Sequence, residues 1–202
     1  MVFGCIPTQQ LEFVETTSTS ISSTTSTTTS TTTSTTTTTT TPIIYECPDS
    51  TWTMLDRTTY FWCIFVLLEA RQANTFQTEC QNINANAKVS GIQNLAEIST
   101  ITSLAMAKGA DSSTRLTIGA KRSANCWLVA ITASCTKLTS FEWTDDATTG
   151  TDGWNWASGQ PDNYNAPEDF VVLWVTSAVM EDGWSSSTSL GTVCGVKATV
   201  AN

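Results

Sequence analysis

Apolar residues fall into short runs along this chain, and their spacing changes from strand-like to helix-like and back. Thr51-Trp52-Thr53-Met54 and Tyr60 to Leu67, rich in aromatic and β-branched residues, predict two strands around the polar turn Asp56-Arg57-Thr58-Thr59. From Asn74, a candidate N-cap, a helix is predicted to about Asn84, with Phe76, Cys80 and Ile83 on one face. A short apolar run around Val89 and Ile92 leads to Asn94, with Glu97 three residues on, a capping pair for a second helix. Leu95, Ile98, Ile101 and Ala105 form its buried stripe, and Lys108-Gly109 ends it. The second half reads as strands and long loops: Leu116-Thr117-Ile118-Gly119, Phe141 to Asp145, Phe170 to Trp174 and Val193 to Val196. The order β, α, α, then β with long loops predicts an α+β domain.

This pattern is confined to part of the 202 residues. Between Thr16 and Thr41 every residue except Ile21 is Ser or Thr, a composition with nothing to bury. The chain therefore divides into an N-terminal segment 1–15, a Ser/Thr-rich tract 16–44 and a folded domain 45–202. The tract is expected to be a disordered, O-glycosylated, mucin-like stalk; the alternative is an unmodified linker. No Asn-x-Ser/Thr sequon occurs, so N-glycans are not expected. The nine-residue run Tyr60 to Leu68 is far below the ~20 residues that span a bilayer, so no membrane insertion is expected.

A net charge of −9 with only nine Lys+Arg leaves no basic footprint for nucleic acid. The absence of histidine removes the usual general base and the commonest zinc ligand. Of the remaining acids, Asp145, Asp146 and Asp152 would have to serve as an acid/base pair, but acidic turn residues are more often simply solvated, so no enzyme is expected. Seven cysteines without a C-x-x-C spacing read as disulfides and hence as a secreted, extracellular protein, although Met1 to Ile6 do not form a signal peptide and the start reads as truncated. Cys47 and Cys63 can clasp the first hairpin, and Cys126 and Cys135 are close enough in sequence to bridge a local loop.

The densest chemistry lies in Trp154 to Phe170, where Gln160, Asp162 and Glu168, with Asn163, Asn165 and Asp169, crowd hard oxygen donors beside aromatic faces. Carboxylate and amide oxygens suit calcium, and indoles and phenols offer flat apolar surfaces to a sugar or peptide.

Taken in order, Cys47-Pro48, Trp52, Cys63, Phe76, Cys80, Val89 to Asn94, Leu116 to Gly119, Phe141 to Asp145, Trp156, Gly159-Gln160-Pro161-Asp162, Glu168-Asp169 and Cys194 resemble a C-type lectin-like domain over residues 46 to 202. The Thr-rich tract and the Cys126/Cys135 pair are most similar to the large nematode branch, in its long form with an N-terminal hairpin. The resemblance implies two helices with small antiparallel sheets and a long irregular loop region, and a Cys80–Cys194 disulfide, which leaves Cys5 for an intermolecular bridge or for none. It also implies a cis proline at Pro161 between two calcium and sugar ligands, in the galactose-type version Gln160-Pro161-Asp162. Glu168 is then the later calcium ligand, and Tyr164 the ring against the sugar, with Trp154 as an alternative and Trp156 more often core. The chain departs from the family in carrying Trp184-Ser185-Ser186 where Trp-Asn-Asp is usual, and Phe170 where one cysteine of the loop clasp stands. Asp182 is available as a substitute carboxylate. The function implied is recognition of glycans or glycoproteins with a depleted calcium site. The alternatives are a calcium-independent module that binds protein or glycan, and a structural or immune-type domain.

Overall fold

The computed structural model describes residues 43–165 and 167–201. The N-terminal segment, Cys5 and the Ser/Thr tract up to Pro42 lie outside the described residues. In chain order the elements are β1 (Tyr45–Glu46), β2 (Thr53–Asp56), β3 (Phe61–Leu67), β4 (Arg71–Gln72), α1 (Phe76–Ile83), β5 (Lys88–Val89) and α2 (Leu95–Ala107). They continue with β6 (Arg115–Arg122), β7 (Phe141–Trp143), β8 (Phe170–Trp174), β9 (Met180–Gly183), β10 (Thr188–Ser189), β11 (Gly191–Lys197) and β12 (Thr199–Val200). This is the α+β order predicted, with both helices in the first half.

The antiparallel ladders are joined into one eight-stranded sheet, in the order β2-β3-β11-β6-β8-β9 with β5 on β11 and β7 on β6. The joint is a short parallel contact, Gly191↔Leu116 and Thr192↔Thr117. A two-stranded ribbon of β1 with β12 brings the ends of the domain together, and a second pairs β4 with β10. The larger core cluster packs Ile98, Ile101 and Ala105 of α2 with Ile64, Leu116, Ile118, Leu173 and Val193 of the sheet. The smaller cluster gathers Trp52, Phe76, Val89 and Val196 around the Cys47–Cys63 and Cys80–Cys194 disulfides; Cys126–Cys135 closes a separate loop.

Several local expectations change. The first strand starts two residues late, at Thr53, because the Asp49 carboxylate accepts the Thr51 N–H (2.7 Å) and holds that stretch in a turn. Helix α1 is entered through a 3-10 turn, Ala73–Thr75, so Asn74 is not its cap; the Asn74 N–H instead donates to Ser185 O (3.1 Å). Ile83 and Leu95, expected on buried faces, lie at helix ends and are exposed, since the sheet does not reach the terminal turns. Asn94 does cap α2, accepting the Glu97 N–H at 3.1 Å. Glu97 itself is buried in a bidentate pair with Arg57, 2.7 Å on each arm, with the guanidinium also donating to Thr148 Oγ1 and Gly91 O. Arg57, read from sequence as a turn residue, is thus the cation at the centre of a buried network. No helix among the described residues is long and apolar enough to cross a membrane.

Candidate functional site

The site is built on the ends of β6, β8 and β9 and the loop that precedes β8. In β6 Leu116 to Ala120 are all buried, and beyond the register irregularity between Ile118 and Lys121 the strand leaves Lys121 exposed and buries Arg122. In β9 Asp182 pairs with Val171 of β8 and points the same way, with its side chain fully buried. Arg122 Nη2 donates to Asp182 Oδ2, Arg122 Nε donates to the Glu168 carbonyl (2.6 Å), and the guanidinium lies 4.5 Å over the Phe141 ring. The sequence does not single out this cation, since the strand it predicts ends at Gly119.

Asp182 also organises the loop. Its Oδ1 accepts the Asp162 N–H at 3.0 Å and its Oδ2 the Asn163 N–H at 2.9 Å. Glu168 Oε2 accepts the Tyr164 N–H at 2.7 Å, and the Glu168 N–H donates to Asn163 Oδ1 at 2.8 Å. Asn163 and Asn165 have φ of 53°, a left-handed conformation that Asn tolerates better than most residues. Asn163 Nδ2 reaches across to Val129 O at 3.2 Å, tying the loop to the Cys126–Cys135 ring, where Trp127, Leu128, Val129 and Ile131 are exposed. The Gln160–Pro161 peptide is cis.

The arrangement brings Asp162, Glu168 and Asp182 together, each with a carboxylate oxygen within 4.8 Å of the others. Gln160, Asp162, Tyr164, Glu168 and Asp182, with Phe170, Glu181 and Trp184, line one cleft of about 280 Å³. Gln160 Oε1 is buried in it without a hydrogen-bond partner among the described residues. Tyr164 stands at its edge, 63% exposed. Trp154 lies elsewhere: it stacks on Trp143 (centroids 3.6 Å apart) and against Trp156 (5.4 Å), and packs on the core. Ser185 does not face the cleft; its N–H donates to Asp169 Oδ1 (2.9 Å) and its carbonyl accepts from Asn74. Of the acids considered for catalysis, Asp145 is buried, and it accepts from Gly91 N, Ala147 N, Thr148 N and Thr148 Oγ1. Asp146 is exposed and paired with Lys88, and Asp152 is exposed.

Burial raises the Glu168 carboxyl to about 7, the charges of Asp182 and Asp162 adding to the effect and the Tyr164 N–H opposing it. Burial likewise raises Asp182 against its two N–H donors and Arg122, and it lowers Arg122. Asp162, Glu168 and Asp182 crowd together while the guanidinium pairs directly with Asp182 alone, so a further cation would relieve the remaining repulsion.

The free acceptor positions test whether calcium fits. Asp162 Oδ2, Glu168 Oε1 and Gln160 Oε1 have no protein donor among the described residues, and Asp182 Oδ1 keeps one lone pair. Four hard oxygens in one cleft suit calcium, which takes 6–8, with the remainder left to water and ligand hydroxyls.

No protein-family model matches the sequence, and no curated protein matches it. Solved structures do. The C-type lectin CEL-I from Cucumaria echinata superposes with a TM-score of 0.56 at 21% identity, covering 77% of this chain and 99% of that one. The cow CD23 C-type carbohydrate-recognition domain, solved in the presence of a GlcNAc2Man3 oligosaccharide, gives 0.55 at 20%, covering 77% and 98%. A calcium-independent type II antifreeze protein gives 0.53 at 17%, covering 77% and 97%. The described residues therefore have the C-type lectin-like fold.

Proposed function

We propose that this protein is an extracellular carbohydrate-recognition module that binds glycans through calcium held at Asp162, Glu168, Asp182 and Gln160. The observation that carries the reading is the convergence of three carboxylates and the unpartnered Gln160 carbonyl in one cleft. Bound calcium would supply a Lewis-acid centre whose open positions accept vicinal sugar hydroxyls. The protein's own residues do the rest: Arg122 and Asp182 hold the loop, Asn163 fixes its turn, and Tyr164 and Trp184 offer ring faces at the cleft. The Gln160-Pro161-Asp162 order favours galactose-like sugars. The three disulfides, which persist in oxidising compartments, support an extracellular setting.

The test titrates calcium into the full chain, following tryptophan fluorescence and melting temperature, with Gln160→Ala/Asp162→Ala alongside and a glycan array read with and without chelator. Saturable stabilisation that the variant lacks, with chelator-sensitive binding of galactosides, is expected. No response up to millimolar calcium overturns the reading.

A second reading has its own support. Arg122 is a built-in cation, and Tyr164, Trp184 and the apolar Trp127–Ile131 segment are exposed around the loop. They suit a calcium-independent module that grips a protein partner, which the same chelator arm separates from the first.

A further inference from the structure

Phe170, the first residue of β8, is a wall of two clefts rather than one. With Ala73 it borders both the carboxylate cleft and a second space of about 310 Å³ that is also lined by Asn74, Gln77, Lys88, Lys121 and Thr144. The two spaces thus share two walls, Ala73 and Phe170. Lys121 faces Phe170 across the β6–β8 ladder, so both side chains leave the same side of the sheet. Glu142 is its partner on the other flank, yet among the described residues no carboxylate oxygen lies within 4.0 Å of the Lys121 ammonium. Among the described residues Lys88 pairs with the exposed Asp146 alone, a surface contact that a ligand can displace at little cost.

The groove is polarised. One end is lined by Asp162, Glu168, Glu181 and Asp182 together with Arg115, the other by Lys88 and Lys121, two of the nine cations of the chain, and Phe170 lines both. Resting on the carbohydrate reading above, we propose that the ligand is an acidic oligosaccharide. A neutral sugar with vicinal hydroxyls occupies the carboxylate end, and an adjacent residue bears an anionic group, sulfate or carboxylate, received by Lys121 with the side-chain amides of Asn74 and Gln77 nearby. Phe170 offers the apolar face on which the intervening ring lies. Two lysines are too few to hold a nucleic-acid backbone, whose binding is built from many phosphate contacts.

The full chain is tested by calorimetry and glycan array against three matched galactosides, neutral, sulfated and uronate-bearing, with calcium and with chelator, and against a polyglutamate peptide. Wild type is compared with Lys121→Gln, Lys121→Glu and Gln160→Ala/Asp162→Ala. An anionic galactoside is expected to bind roughly five-fold tighter than the neutral one at low salt, the scale of one partly exposed ion pair. Lys121→Gln is expected to abolish that gain, Lys121→Glu to invert it, and both to leave neutral binding and melting temperature unchanged. A gain with either anion supports the proposal, and which anion gives it identifies the substituent. Equal binding of all three galactosides overturns it while leaving the calcium-lectin reading intact; no galactoside binding at any calcium level overturns both. Calcium-independent binding of polyglutamate that Lys121→Gln abolishes overturns it in favour of an acidic peptide.

Discussion

Replacing Arg122 with methionine removes the one cation buried among the loop carboxylates while keeping most of the side-chain volume over Phe141. Asp182 would be left fully buried with only the Asp162 and Asn163 N–H donors, and the Glu168 carbonyl would lose its 2.6 Å partner. Removing one member of a buried ion pair costs about 3–5 kcal/mol, because the remaining charge keeps its desolvation penalty. For a domain of this size, each kcal/mol corresponds to about 2–4 °C, so the melting temperature should fall by about 6–20 °C. Asp182 can escape by taking up a proton, so the loss should be large at pH 8 and smaller at pH 5. Urea unfolding of the full chain in chelator at both pH values measures it, and Arg122→Met/Asp182→Asn should recover most of the stability at pH 8. Calcium should then stabilise Arg122→Met more than wild type, since it meets more uncompensated charge. A loss below about 1 kcal/mol at pH 8, or an equal loss at both pH values, would refute the assignment of Arg122 as the loop's internal counter-charge.

Two further outcomes are expected. Glu168 has its folded pKa raised to about 7 from an ordinary value near 4.5, so between those values the folded state binds more protons than the unfolded chain. In chelator, stability should therefore fall as pH rises through that window, by no more than about 3 kcal/mol, and Glu168→Gln should flatten the slope; an unchanged slope in the variant counts against it. Gly153 packs backbone to backbone under Ile92, where an added Cβ would overlap the Ile92 carbonyl oxygen and crowd Trp143. Gly153→Ala should cost about 1–3 kcal/mol by denaturant titration and weaken the near-UV signal of the Trp143–Trp154 stack; wild-type stability would show that the backbone relaxes freely there.

The hydrophobic pattern carried most of the fold. Strand β3, the Asn94 cap, the buried Ile98, Ile101 and Ala105 and the short C-terminal strands all follow from local spacing, which backbone geometry turns directly into faces. The errors sit where neighbours decide. Ile83 and Leu95 have apolar side chains in the right phase, but whether a terminal turn is covered depends on where the sheet ends. The site was partly legible: Gln160, Asp162, Tyr164 and Glu168 are close in sequence and line one cleft, and Asp182, available from the sequence as a substitute carboxylate, joins them through the β8–β9 register, whereas Arg122, which reaches them through β6, was not read. No local rule distinguishes an inward arginine from a solvated one until its carboxylate partner is known.

The position of Phe170 gives these polar contacts their meaning. Where the resemblance leads one to expect a cysteine clasp, the loop is held instead by carboxylates that accept backbone N–H groups, Asp182 from Asp162 and Asn163, and Glu168 from Tyr164. These same oxygens are the donors proposed for calcium, so one set of groups both shapes the loop and binds the ion. A loop already shaped by Arg122 and Asp182 does not depend wholly on the ion for order, so less ordering entropy opposes ligand binding. Sharing lone pairs between N–H donors and a cation also limits how strongly each oxygen can hold the ion. If the proposed calcium site holds the ion, its binding is therefore expected to be weak and reversible, with most of the affinity coming from the ligand's own contacts.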